Sequence, residues 1–194
     1  MGSSAAHPNS KTLPLAAVAE LGDEAMALAR PDLHPREFVA LLLDKALFPD
    51  AVRFVAHALP KREAVWWAWV SGRRAAGDAP APAIKAALDA TEKWIAQPTD
   101  ELCRRAMDAA QKAGLGTAAG CAGLAAFFSG SSLAPPEAPP VPPGEFLTAK
   151  AVSGAVILAA VSKEPKKAPE KFRAFVAQGL EVTQRIKLWD SKPA

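Results

Sequence analysis

The stretch "KREAVWWAWVSGRRAA", residues 61–76, places three of the chain's five tryptophans within four positions. It lies between Pro60 and Gly77, residue types that commonly begin and end helices. With a helical period of about 3.6 residues, one face carries a continuous stripe of four side chains. These are Arg62, Trp66, Trp69 and Arg73. The stretch therefore predicts a helix with two indoles and two guanidinium groups on one side.

Two interpretations of this stripe stay open. In the first, the indoles fill the core of the domain and both arginines lie over its rim. In the second, the stripe makes cation–π contacts or grips an anionic or aromatic ligand. Tryptophan is also a favoured interface anchor. The sequence makes the stripe the first candidate site for partner binding.

The remainder of the chain extends the helical pattern. Tyr is absent, alanine dominates, and Val, Ile and Thr form no long alternating runs, so the composition favours helix over sheet. Prolines and glycines divide the chain into short apolar-periodic segments, one of them a helix over 15–30. We predict an all-α, compact single-domain bundle of about eight or nine helices with one Pro-rich crossover. Recurring short antiparallel pairs leave a HEAT-like arrangement open.

Several residues predict how individual helices begin and pack. Thr99 and Thr148 precede helical patterns and are predicted N-caps. In "GTAAGCAG", Gly116, Gly120 and Gly123 are expected to allow close approach to another backbone within the bundle.

The domain boundaries follow from composition. We predict a flexible N-terminal tail over 1–13, one helical domain over 14–190 and a short tail over 191–194. The irregular segment "SGSSLAPPEAPPVPPGEF" supplies the Pro-rich crossover, 130–145. Its overlapping P-x-x-P spacings could form a docking ligand, although a rigid crossover over the domain is the favoured interpretation. Five residues of this region form the second candidate surface: Phe128, Ser129, Pro136, Pro139 and Pro140.

No catalytic signature is present. His7, His34 and His57 have no partners at metal-ligand spacing, and the two cysteines form no CxxC pair. There is no G-x-G-x-x-G, no Walker lysine and no G-x-S-x-G elbow. We therefore expect no enzyme, no cofactor and no metal. A small-ligand-binding regulatory domain, or an enzyme whose site carries no recognisable motif, remains the alternative.

The charge pattern bears on compartment and partners. A formal net charge of +3 does not argue for nucleic acid, although residues 163–192 hold eight Lys or Arg against four Asp or Glu. A membrane-surface or nucleic-acid role would depend on these basic side chains. They include Lys163, Lys166, Lys167, Lys171, Arg173, Arg185 and Lys187. Without a signal-peptide h-region or a run of roughly 20 apolar residues, we expect a cytoplasmic protein with no membrane insertion.

Four segments in order carry a family resemblance: "LPKREAVWWA", "FFSGSSLAPPEAPPVPP", "LTAKAVSGAVILAAV" and "FRAFVAQGLEV". Over roughly 35–185 the chain resembles a family of uncharacterised bacterial proteins, a domain of unknown function that accompanies type VI secretion components. The resemblance implies an accessory or adaptor role beside a secretion apparatus or its effectors, and it supplies no catalytic residues. The expected function is non-catalytic protein–protein interaction with such a partner, and self-association is left open.

Overall fold

The computed structural model describes residues 11–190, so the predicted tail residues 1–10 and 191–194, including His7, lie outside the described part. The described residues form ten α-helices and no strand, which confirms the predicted all-α fold. The helices are α1 Thr12–Val18, α2 Asp23–Leu28, α3 Pro35–Asp44, α4 Phe48–Ala58, α5 Lys61–Ala76, α6 Pro82–Ala96, α7 Asp100–Ala113, α8 Ala118–Phe128, α9 Leu147–Val161 and α10 Ala168–Arg185. A short 3₁₀ turn, Pro165–Lys167, precedes α10.

Local signals account for most helix ends. The Thr99 hydroxyl accepts a hydrogen bond from the backbone N–H of Leu102 at the start of α7, so this predicted cap is confirmed. Gly77 and Gly114 end α5 and α7 with positive φ angles of 76° and 84°, a region that favours glycine. Thr148 is not an N-cap, because α9 begins at Leu147 and Thr148 lies buried inside its first turn.

The single helix predicted over 15–30 is two helices, and α1 begins inside the segment predicted as tail. Between α1 and α2 the backbone turns at Glu20, whose φ is 51°. The backbone N–H of Gly22 then donates to the carboxylate of Asp50 on α4, at 2.9 Å. Asp50 is 28 positions away, so no local sequence pattern could show this break.

The core is centred on α8 and α9. Both helices are apolar on nearly every side, the composition expected of helices surrounded by other helices. They pack against each other and against α5, while α7 and α6 cover α8, and α4 and α10 cover α9. A Cβ on Gly123 would lie 2.8 Å from the carbonyl oxygen of Ala106, so α8 approaches α7 closely there, as predicted. The prediction is wrong for Gly116, which lies before α8 and where a Cβ would meet nothing within 4 Å.

Candidate functional site

Trp67, the middle tryptophan of α5, belongs to the core. Its side chain is fully buried, and the indole N–H donates to the carbonyl oxygen of Phe175 on α10 at 2.8 Å. A Cβ on Gly179, one turn further along α10, would lie 2.9 Å from Trp67 Cε2. The indole of Trp67 therefore packs directly against the backbone of α10 at Gly179, where any other residue would place a Cβ too close to the ring. For Trp67, the core interpretation of the cluster is the correct one.

Trp69 lies on the flank of α5 that faces α6. It is half-buried, and its indole N–H donates to the carbonyl oxygen of Leu88 at 3.0 Å. The guanidinium carbon of Arg73 lies 5.6 Å from the centre of the indole, within the range of a cation–π interaction. The contact between Trp69 and Arg73 holds both side chains on the domain surface beside α6.

Arg62, at the start of α5, reaches the end of α6. Its Nε donates to the carbonyl oxygen of Ile95 at 2.7 Å, and its Nη2 donates to that of Ala96 at 3.3 Å. The last carbonyls of a helix have no partners within the helix and carry partial negative charge, so the arginine complements this end electrostatically. Arg62 thereby anchors α5 to α6.

Trp66 is the indole of the stripe that borders an open groove. It is half-buried, whereas Trp67 beside it is fully enclosed. The groove has a volume of about 250 Å³ and lies between the start of α5, the end of α6 and the end of α10. We call it the Trp66 groove; its lining is Arg62, Glu63, Trp66, Ile95, Val182, Arg185 and Ile186.

The structure thus divides the predicted stripe in two. Arg62 and Trp66 meet at the groove, while Trp69 and Arg73 pair further along α5. Sequence reasoning missed the groove residues supplied by α6 and by the region at the end of α10. The apolar periodicity of α6 and α10 was the local signal for Ile95, Val182 and Ile186, and it could not show which helix they would face.

The Pro-rich crossover forms an ordered loop closed at its base. The backbone N–H of Leu133 donates to the carbonyl oxygen of Val141 at 2.8 Å. The buried Ser132 hydroxyl accepts from the backbone N–H groups of Ala134, at 3.1 Å, and Val141, at 3.0 Å. Arg104 on α7 donates to the Ser132 carbonyl at 3.4 Å, which ties the base to the domain.

Residues of the second candidate surface lie in two different parts of this loop. Phe128 and Ser129 are half-buried at its root, where the Ser129 hydroxyl donates to the Ala125 carbonyl at 2.8 Å. At the exposed tip lie Pro136, Pro139 and Pro140. A hydrogen bond of 3.0 Å from the N–H of residue 138 to the carbonyl of residue 135 closes a β-turn there. The spacing from 136 to 139 therefore spans a turn rather than a continuous polyproline II segment.

Burial shifts the pKa values of two cysteines and one histidine. Burial raises the pKa of the Cys103 thiol to about 11, with Asp100 adding to the shift, and burial also raises the pKa of Cys121. Burial lowers the pKa of His57, whose Nδ1 lies 2.8 Å from the Arg53 carbonyl oxygen. Among residues 11–190, no group of three or more His, Cys, Asp or Glu side chains could hold a metal ion.

His34 has a structural role that sequence reasoning did not assign. Its Nδ1 accepts from the backbone N–H of Arg36, and the backbone N–H of His34 donates to the Glu37 carboxylate, which forms a capping box at the start of α3. Its Nε2 lies 3.0 Å from the carbonyl oxygen of Trp189. The ring therefore joins α3 to the C-terminal end of the described chain.

Comparison with known proteins adds a family. The fold defines a helical domain, and within the described residues no helix has both the length and the apolar character needed to cross a bilayer. The model of a family of unknown function (DUF6931) matches residues 38–183, and the chain belongs to this family. No curated protein and no solved structure matches the chain.

Proposed function

We propose that this protein is a non-catalytic interaction protein that binds a partner protein through the Trp66 groove. The observation that carries the proposal is the half-buried indole of Trp66 beside an open apolar groove, directly next to an indole that is fully enclosed. The fold needs Trp67 for its core and uses Trp69 against α6. Trp66 is the tryptophan of the cluster that lines the groove, which supports its assignment to partner binding.

The groove has the chemistry of a protein-binding hot spot. Beside the indole, the lining contains the apolar Ile95, Val182 and Ile186, and at the rim the exposed Arg62 and Arg185 with the half-buried Glu63. Tryptophan and arginine are enriched among residues that dominate binding free energy, especially where a partner excludes water from them. Arg62 is also held by the end of α6, so part of the rim is preorganised and loses little freedom on binding.

The Pro-rich loop is the second part of the proposed surface. Ser132 closes its base through two backbone hydrogen bonds, so the exposed tip is presented in a defined conformation. Proline has little conformational freedom to lose on binding, which favours such loops in recognition. We propose that Pro139 and Pro140 contact the partner from this tip.

The more specific role extends the family resemblance. We propose a bacterial cytoplasmic accessory protein that binds a structural component or effector of a type VI secretion system. The resemblance of four ordered segments supports this role, and the Trp66 groove is the surface that we propose for it. A second copy of this chain could occupy the same groove, so an experiment must distinguish self-association from binding of a different protein.

A photo-crosslinking experiment in native cells tests the proposal. A photoreactive benzoyl-phenylalanine at position 185, which is exposed at the groove, should form adducts with the partner. The same residue at position 108, exposed on α7, is the matched control and should not form these adducts. Mass spectrometry identifies the captured protein.

Two substitutions connect the adducts to the groove. Trp66→Ala should weaken capture by about 30-fold, the effect of losing a hot spot of about 2 kcal/mol. Ile186→Glu should do the same by placing a charge in the groove, and circular dichroism should show unchanged helix content for both variants. Adducts with secretion components would support the specific role. If Trp66-dependent adducts formed only with other proteins, the secretion role would be refuted. Adducts of the protein only with itself would indicate self-association. Adducts that do not depend on Trp66 would contradict partner binding in the Trp66 groove.

A further inference from the structure

A second concave site lies at the other end of α5. It has a volume of about 360 Å³ and is bounded by the ends of α5 and α9 and by the starts of α6 and α8. Its lining is mainly small and apolar and includes Gly72, Ala76, Ile84, Ala119 and Leu158. We call it the α5-end pocket. Its volume is at the lower end of the range for ligand pockets, a size suited to one or two apolar side chains.

Two exposed apolar residues are next in sequence to residues that line this pocket. Within residues 11–190, four large apolar side chains are exposed, and two of them are Leu115 and Val161. Leu115 precedes the lining residue Gly116, and Val161 precedes the lining residue Ser162. Exposed apolar surface around a concave site is the pattern of a binding surface rather than of a solvated helix end.

The surroundings of the α5-end pocket are positively charged. Lys163 lines the pocket and donates to the Ala76 carbonyl at 3.1 Å. An adjoining cleft shares Ala76, Ala79 and Pro80 with the pocket. Its charged lining residues are Arg73, Arg74, Lys85, Asp78 and Asp89. The lining of this cleft and residues 163–171 together contain seven Lys or Arg side chains and four carboxylates.

Some of these charges are already neutralised by neighbours. Lys85 pairs with Asp89 at 2.6 Å, and Lys167 pairs with Glu164 at 2.6 Å. Arg73 and Arg74 form no ion pair in the described part of the chain and lie over the aromatic rings of Trp69 and Phe175. The α5-end pocket therefore combines an apolar floor with the ammonium group of Lys163, and the adjoining cleft adds the guanidinium groups of Arg73 and Arg74, which can still bind carboxylates.

We propose that the α5-end pocket binds an acidic peptide segment of a partner protein, with an apolar side chain in the pocket and carboxylates against Arg73, Arg74 and Lys163. The apolar floor favours a peptide over nucleic acid, because a nucleic acid would use phosphate contacts and exposed aromatic platforms for its bases. The indole of Trp69 is covered by Arg73, and Phe175 is buried. This site is distinct from the Trp66 groove and does not depend on it.

Fluorescence anisotropy with defined probes tests the proposal. The probe is a fluorescein-labelled peptide of about twelve residues in which leucines alternate with pairs of glutamates. Two control peptides carry lysines in place of the glutamates or serines in place of the leucines. An oligothymidylate of equal formal charge tests nucleic acid. The acidic leucine peptide should bind best, and its affinity should fall as salt rises, because the charged contacts are close to solvent.

A matched pair of substitutions locates the binding. A Cβ on Gly116 would meet nothing within 4 Å, so a substitution at this lining residue introduces no clash at its Cβ. The affinity for the acidic peptide should be about fivefold lower for Gly116→Glu than for Gly116→Gln, an effect typical of exposed charge pairs. Lys163→Gln should also lower the affinity for the acidic peptide. Lys61 is exposed at the opposite end of α5, and Lys61→Gln should leave this affinity unchanged. Trp66→Ala should leave this affinity unchanged.

Four results would overturn the proposal. These are no binding of the acidic leucine peptide, equal binding of the lysine peptide, stronger binding of the oligonucleotide, or equal affinities for Gly116→Glu and Gly116→Gln. The experiment uses the full chain and known peptides, so its outcome is separable from that of the Trp66 groove.

Discussion

Replacing Gly179 by alanine tests the packing that places Trp67 in the core. The new Cβ would lie 2.9 Å from Trp67 Cε2, 2.9 Å from Val55 Cγ1 and 3.0 Å from Trp67 Cζ2. These atoms are fully buried and belong to two other helices, so they have little room to yield. The methyl group must therefore push α10 away from α5 and α4 or displace the indole.

The magnitude follows from two opposing contributions. Overpacking a well-filled core costs about 1–3 kcal/mol. Alanine in a helix interior is about 1 kcal/mol more favourable than glycine. For Gly179→Ala the net effect should be a loss of about 1 kcal/mol in the free energy of unfolding, or about 3 °C in Tm for a chain of this length.

Gly154→Ala on α9 is the matched control. Its Cβ would lie 3.4 Å from the Cys121 sulfur, an ordinary van der Waals contact, so the helix preference should dominate. This variant should gain up to about 1 kcal/mol. Urea unfolding followed by circular dichroism measures both variants. If Gly179→Ala were as stabilising as Gly154→Ala, α10 would not pack against Trp67 as described.

Three further predictions concern interior polar groups and the Pro-rich loop. Burial lowers the pKa of His57 below its ordinary 6.5, so the unfolded chain binds this proton more tightly than the folded chain does. The free energy of unfolding should therefore fall as pH drops below about 6.5. Between about pH 7.5 and 5.5, the Tm of His57→Gln should decrease less than that of the wild-type protein. An equal decrease in both proteins would contradict this. Because burial raises the pKa values of Cys103 and Cys121, neither thiol should react with Ellman's reagent in the native protein, and both should react in urea. Rapid labelling of the native protein would refute the burial of these thiols. Ser132→Ala should cost about 1–2 kcal/mol and speed amide exchange in 133–141, because two backbone N–H groups lose their acceptor. Ser131→Ala, at an exposed hydrogen bond, should change neither.

Much of the helical pattern was predictable because its causes are local. The Thr99 hydroxyl bonds to a backbone group three residues away, and Gly77 ends α5 through its own φ angle. The apolar faces of α8 and α9 are continuous in sequence, so their central position also follows from composition. The break at Glu20 was not predictable, since the groups that stabilise it include Asp50 on a later helix.

The candidate site was predictable only in part, for the same reason. The spacing of Arg62, Trp66, Trp69 and Arg73 placed these residues on one helix face. It could not show that Arg62 bonds to the end of α6 or that Arg73 covers Trp69. The α5-end pocket had no sequence signal, because residues between positions 72 and 163 contribute to its lining.

By itself, the sequence determined that this chain is helical, where most of its helices end, and that residues 61–76 carry an unusual concentration of indoles. Only the tertiary structure decided which indole is core and which borders a groove. Adjacent residues on a helix differ by about 100° in direction, so Trp66 and Trp67 cannot both face the same neighbour. The carbonyl that bonds to the Trp67 indole is 108 positions away on α10. Such a partner is chosen by the packing of whole helices, which no local pattern encodes.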